Sequence, residues 1–101
     1  MSKRNGRELV YSLLKKVPKN KVTTYAELAR VAGTHPRAVA VFMLTNKDPA
    51  KIPCFRVVRS DGEIGGYSAP GGVKKKIELL KMNGIEIAKG KINMKKYLHR
   101  F

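Results

Sequence analysis

The sequence contains no tryptophan, one cysteine, and two histidines far apart in the chain. A single thiol excludes an internal disulfide framework. One thiol and two distant imidazoles also argue against a zinc finger, whose four ligands come in closely spaced pairs. Acidic residues are scarce: 7 Asp and Glu stand against 22 Lys and Arg, a formal net charge of +15 over 101 residues. No apolar run approaches the roughly 18 residues of a membrane span. Met1-Ser2-Lys3-Arg4-Asn5-Gly6-Arg7 has no apolar stretch of a secretory signal behind it. An intracellular location (cytoplasm, nucleoid or nucleus) without membrane association is therefore expected.

Hydrophobic residues make up 43%, enough for a small core, and a chain of 101 residues is expected to form one domain. That domain spans 1–101, with flexible tails at 1–5 and 95–101. So much positive charge on a small body repels itself unless a polyanion absorbs it, and nucleic acid is the first candidate. A lysine-rich coat on every surface is the plainer source of the same charge.

Leu9, Val10, Leu13, Leu14 and Val17 recur at helical spacing, which predicts a helix over residues 6–17, closed by Pro18. Thr24-Tyr25-Ala26-Glu27 has the form of a capping box, and Gly33 sits where a left-handed helix end belongs. Thr34 or His35 can cap the next helix, with Pro36 in its first turn and Ala38, Val39, Val41, Phe42 and Leu44 along it. Two short helices joined by a glycine turn suggest a helix-turn-helix, whose second helix docks on DNA. An ordinary helical hairpin has the same pattern. Further on, Val57-Val58 predicts a short strand and Ser60-Asp61-Gly62-Glu63 a hairpin turn. Residues 73–83 predict a third amphipathic helix, with Val73, Ile77, Leu79 and Leu80 inward. Ile85-Glu86-Ile87 and Ile92-Asn93-Met94 alternate around Lys89-Gly90-Lys91 as a second hairpin candidate.

The chemistry converges on Cys54. A lone cysteine is most often an inert core residue. Here it follows Pro53 in a segment without periodicity, Arg56 stands two residues on to favour thiolate, and the glycine-rich stretch Gly65–Gly72 follows.

Ile52-Pro53-Cys54-Phe55-Arg56-Val57-Val58 resembles the Pro-Cys-His-Arg-Val segment of the O6-alkylguanine-DNA alkyltransferases, the methylated-DNA–protein-cysteine methyltransferases. Val22-Thr23-Thr24-Tyr25-Ala26-Glu27-Leu28-Ala29 resembles the first helix of that family's helix-turn-helix. His35-Pro36-Arg37-Ala38-Val39 resembles the start of its recognition helix, and Gly65-Gly66-Tyr67-Ser68 its pocket wall. The resemblance runs from about Gly6 to Ile87. It implies a mostly helical α/β domain, winged-helix-like, with a helix-turn-helix and a short β-hairpin after Cys54. It also implies a monomer whose partner is double-stranded DNA carrying alkylated guanine. The thiolate of Cys54 would take the alkyl group from guanine O6 once and keep it, after the base has left the duplex. The resemblance gives Tyr25 a catalytic part, rotating the nucleotide and bonding the guanine. It places Arg37 in the vacated stack, with Thr24 and Ala38 alongside on the DNA face. Arg56 is carried over to that face too, although its family counterpart bonds backbone around the site. Tyr67 and Ser68 would contact the flipped base, Ser68 near O6, while the carbonyls of Cys54 and Val57 accept from the exocyclic amine. The family's recognition helix enters the minor groove.

Taken singly, these residues have plainer readings. Tyr25 can simply cover a helix start, Arg37 can be one phosphate contact among many, and Tyr67 and Ser68 can close a turn.

The sequence also departs from the family pattern. The transferases usually carry an additional N-terminal domain; a length of 101 residues matches the small alkyltransferase-like proteins, which bind alkylated guanine without transfer and often have Trp for the cysteine. Phe55 and Asn83 stand where the transferases have the His and Glu of a hydrogen-bond relay, and Asp48 where they have a hinge Asn. The segment from Asp48 to Cys54 is shorter than usual. No metal or organic cofactor is implied, because zinc in some relatives depends on the additional domain. Three functions follow in order: stoichiometric repair through Cys54, a damage sensor acting with another repair protein, and a general DNA-binding protein.

Overall fold

Val10 and Leu14, one helical turn apart, are the fully buried residues of α1 (Gly6–Lys15), and a tighter turn through Val17 carries the chain on to Pro18. The computed structural model describes residues 6–101, so the tail expected at 1–5 lies outside the described residues. β1 (Thr23–Thr24) leads directly into α2 (Tyr25–Ala32). Thr24 Oγ1 accepts the Glu27 N–H at 2.9 Å, a cap of about 1 kcal/mol. Only this half of the expected capping box forms, because the Glu27 carboxylate turns to Arg30 and to the backbone N–H of Phe101. Gly33 ends α2 at φ 70°, the left-handed position that favours glycine. α3 (Pro36–Leu44) follows almost at once, with His35 Nδ1 accepting the Arg37 N–H at 3.1 Å. α2 and α3 pack on each other and on α1 as a helix-turn-helix.

Cys54–Arg56 forms a single 3₁₀ turn that runs into β2 (Val57–Val58). β2 pairs in parallel with β1, Thr23 opposite Val57 and Thr24 opposite Val58. The Asp61-Gly62 turn forms, closed by the Arg59 N–H on the Glu63 carbonyl at 2.9 Å. The hairpin expected there does not extend further. The returning chain pairs elsewhere: Glu63 bridges to Lys91, and the Ile92 N–H donates to the Gly62 carbonyl. The short β-hairpin of the fold is the C-terminal candidate, β3 (Ile87–Ala88) against β4 (Lys91–Ile92), turning at Lys89-Gly90.

α4 (Gly72–Met82) buries Lys76 and Leu80 and half-buries Ile77 and Leu79. Val73, expected inward, is 44% exposed, because the buried stripe begins one turn later at Lys76. The tail expected over 95–101 is also corrected. α5 (Met94–Tyr97) buries Tyr97, and the chain beyond it runs beside Val22. There Val22 donates to the Tyr97 carbonyl and accepts from the His99 N–H, and the Phe101 N–H reaches Glu27. The Tyr97 ring and these backbone bonds together anchor the terminus. Among the described residues no helix is long and apolar enough to cross a membrane.

Two apolar clusters share the segment 54–58. Cys54 and Val57 belong to the cluster of Val10, Leu14, Leu28, Val39 and Met43. Phe55 and Val58 belong to that of Val22, Ile64, Leu80, Ile85, Ile92 and Tyr97. Removing the Tyr97 ring should therefore cost stability on the scale of a core aromatic: Tyr97→Ala should lower unfolding free energy by about 3 kcal/mol in urea titration, where a dispensable tail would show no change.

Candidate functional site

Pro53 locks the approach to the thiol. At φ −76° and ψ 69° it forms an inverse γ-turn, closed by the Cys54 N–H on the Ile52 carbonyl at 2.7 Å. Asn46 reinforces the turn: its Nδ2 donates to the same Ile52 carbonyl at 2.9 Å, while its Oδ1 accepts the Asp48 N–H. The position matched to the family's hinge is Asp48, but the side chain that pins this loop is Asn46. The Asn-x-Asp spacing of an Asx turn was the available signal.

Cys54 is thereby held at the floor of a cavity of about 530 Å³. The N-terminus of α2 contributes Tyr25, and α3 contributes Pro36, Arg37, Ala40, Met43 and Leu44. Arg59 and the loop of Gly65, Gly66, Tyr67 and Ser68 complete the wall. Of the residues singled out from sequence, Cys54, Tyr25, Arg37, Tyr67 and Ser68 meet here. Thr24, Ala38, Arg56 and Val57 are not in the lining. Thr24 caps α2. Ala38 is half-buried in the first turn of α3. Arg56 turns away from the cavity: its Nη1 donates to the Val17 carbonyl at 3.2 Å, and its guanidinium lies 5.1 Å from the Phe55 ring centre.

Phe55 and Asn83 also lie away from the cavity. Phe55 packs in the second apolar cluster. Asn83 ends α4, its Nδ2 donating to the Leu79 carbonyl at 2.7 Å.

Sequence reasoning missed Lys76. Its side chain is fully buried, and Nζ donates to the Val57 carbonyl at 2.7 Å and to the Gly66 carbonyl at 3.1 Å. These bonds tie β2 to the loop that carries Tyr67 and Ser68. Burial pushes the ammonium down to about 8, with the charge of Cys54 acting in the opposite sense. A run of three lysines reads as a solvated face, yet Lys76 stands one helical turn before Leu80, on the apolar stripe. Gly65 belongs to the same arrangement. At φ 76° it favours glycine, and a Cβ there would lie 3.2 Å from the Tyr25 hydroxyl and 3.6 Å from Lys76 Nζ.

Burial raises the pKa of both cavity phenols, and the Cys54 charge adds to the rise, so Tyr25 and Tyr67 are protonated donors at neutral pH. The Ser68 hydroxyl donates to the Leu44 carbonyl at 2.9 Å, linking the loop to the end of α3. Its single proton is spent on that bond, so donation to a ligand oxygen requires the hydroxyl to rotate. Among the described residues the lining carries two arginines and no carboxylate.

This fold and site define a helix-turn-helix domain with a thiol in a cavity behind its second helix. The chain belongs to the family described as 6-O-methylguanine DNA methyltransferase, DNA binding domain, whose model matches residues 5–85. A bifunctional methyltransferase/endonuclease of Picrophilus torridus is 43% identical over 90 residues, 87% of this chain and 30% of that relative. A methylated-DNA–protein-cysteine methyltransferase of Methanothermobacter thermautotrophicus is 44% identical over 78 residues, 77% of this chain and 43% of that relative. The chain thus spans less than half the length of these curated relatives. Among solved structures, S. pombe Atl1 in complex with damaged DNA containing O6-carboxymethylguanine superposes with a TM-score of 0.86 at 27% identity, covering 100% of both chains.

The buried ammonium has a measurable pH signature. The unfolded chain keeps the Lys76 proton up to the ordinary value of 10.5, whereas the folded chain releases it from about 8. Stability from this group is therefore complete above 10.5 and is lost as pH falls through 8. Relative to Lys76→Met, the wild-type protein should gain up to about 3 kcal/mol as pH rises through that window, read from urea midpoints. Parallel pH profiles would show that Lys76 keeps its ordinary proton affinity.

Proposed function

We propose that this domain holds an O6-alkylated guanine, rotated out of a DNA duplex, in the cavity beside Cys54, and that Cys54 Sγ accepts the alkyl group. The observation that carries the reading is the meeting of Cys54, Tyr25 and Tyr67 in one cavity whose outer wall is the recognition helix bearing Arg37. Chemistry on a base edge requires the base to leave the stack. An apolar cavity with two phenolic donors suits a planar heterocycle with acceptor atoms. Arg37 lies exposed in the first turn of α3, where it can enter the gap the base leaves, through the minor groove. The excess of lysines supplies phosphate contacts that do not depend on sequence.

The reaction is a single displacement. Sγ bonds to the alkyl carbon, the bond from that carbon to guanine O6 breaks, and the proton given up by the thiol balances the one taken up by the released guanine. The thiolate is the nucleophilic form, and a nearby cation favours it. Phe55 and Asn83 do not line the cavity, and the cation whose charge interacts with that of Cys54 is the buried Lys76 ammonium. An intracellular DNA-repair role follows.

A second reading, a sensor that binds the lesion for another repair protein without transfer, is supported by Phe55 and Asn83 at the relay positions. The end-to-end superposition on a protein bound to damaged DNA fits it equally.

Binding should be strongly salt-dependent and tighter for a duplex with one O6-methylguanine than for the unmodified duplex. Equal affinities across a salt titration would leave a general DNA-binding protein. Arg37→Ala should cost about 1–2 kcal/mol of lesion preference, the scale of a stacking contact, and less of overall affinity. A uniform loss would make Arg37 a phosphate contact. Intact-mass spectrometry then separates transfer from sensing. Transfer adds one methyl mass at Cys54, faster as pH rises, and Cys54→Ser abolishes it while lesion binding persists. No adduct after long incubation with confirmed lesion binding leaves the sensor.

A further inference from the structure

We propose that Arg59 makes the cavity selective for O6-alkyl groups that end in an anion, a carboxylate in particular, over neutral groups of the same size. The inference rests on the proposed function and names the substrate class that function favours.

Arg59 follows β2 directly, so its backbone is anchored by the strand paired to β1, and its side chain lines the same cavity as Cys54 and Tyr25. Among the described residues the cavity wall carries Arg37 and Arg59 and no carboxylate, and the Lys76 ammonium lies buried behind the Gly66 side of it. An alkyl group on O6 must point toward Cys54 if its carbon is to meet the sulfur, so whatever the alkyl carbon bears occupies the same space. A methyl group offers a guanidinium nothing. A carboxylate offers two oxygens in the geometry a guanidinium fork matches.

The guanidinium is free to exchange partners. Among the described residues its carboxylate partner is Glu63, at 3.9 Å, with both side chains largely solvated, 65% and 48% exposed. A pair of that kind contributes little. An anion in a concave, mostly apolar site is shielded from water, and its attraction to a cation is correspondingly larger. The charge of Arg59 already reaches into the cavity, where it lowers the pKa of the Tyr25 hydroxyl against the effects of burial and of Cys54. A DNA phosphate has the same chemistry as a carboxylate terminus and is the other anion Arg59 can meet.

The experiment compares four duplexes that differ at one guanine: unmodified, O6-methyl, O6-carboxymethyl, and O6-carbamoylmethyl, the neutral isostere of the third. Wild-type protein should bind the carboxymethyl duplex about tenfold more tightly than the carbamoylmethyl duplex, the scale of one charge-assisted hydrogen bond. Arg59→Gln should bring that ratio close to one, with a larger loss on the carboxymethyl duplex than on the O6-methyl duplex, and Arg59→Lys should restore part of it. Equal wild-type affinities for the charged and neutral isosteres, with both preferred over unmodified DNA, would overturn this proposal alone. A uniform loss on all four duplexes in Arg59→Gln would overturn it in favour of a phosphate contact. No preference for any lesion duplex would overturn the functional reading, and this proposal with it.

Discussion

The parallel pairing of Thr23-Thr24 with Val57-Val58 is two residues long, and the geometry of the site depends on it. Thr24 is both the last residue of β1 and the cap of α2, so the pairing fixes where α2 begins and therefore where Tyr25 stands. On the other strand, Val57 follows the 3₁₀ turn of Cys54–Arg56, so the same bonds fix the thiol. Spacing does the rest. Cys54 and Val57 face one apolar cluster, and Phe55 and Val58 face the other. A segment that is the shared wall of two cores moves only if both rearrange. The C-terminal run past Tyr97 lies along Val22 and braces the pairing from its outer side.

Positive charge acts here at two ranges. Most of the formal +15 sits on surface lysines and arginines, and their effect on a polyanion is long-ranged and screened by salt. Lys76 is a single ammonium in the interior, bound to two carbonyls and shielded from salt. Its cost of burial is offset by those bonds and by what they organise, since they join the strand carrying Val57 to the loop carrying Tyr67 and Ser68. In the proposed function the first kind of charge brings DNA to the domain without choosing among bases, and the second helps to shape the cavity that takes the rotated base.

Much of this was legible in the residues because local chemistry agrees with the fold. The Thr24 cap, Gly33 at a left-handed φ, Pro36 in the first turn of α3 and the Lys89-Gly90 turn all form as their residue types require. Tyr25, Arg37, Cys54, Tyr67 and Ser68, five of the residues that the motif resemblance singled out, line one cavity. What was hidden depended on tertiary context. Asp61-Gly62 makes its turn, but β2 finds its partner 34 residues earlier, at Thr23, a pairing no local pattern encodes. Lys76 is disguised by the lysines before it, and Tyr97 by those around it. Arg59 follows a strand and precedes a turn, where an arginine ordinarily means only a solvated edge.

The proposed function puts the damaged base in the cavity beside Cys54, and the thiol itself can report it. Cys54 is only 6% exposed and lies on the cavity lining, so a small thiol reagent such as iodoacetamide must enter the cavity to reach it. The measurement is the rate of Cys54 labelling, followed by intact mass, with the protein saturated by either an O6-methylguanine duplex or its unmodified counterpart. A base seated in the cavity blocks the reagent, so labelling should be strongly suppressed by the lesion duplex and little changed by the unmodified one. Equal labelling rates in the two saturated complexes would contradict the account.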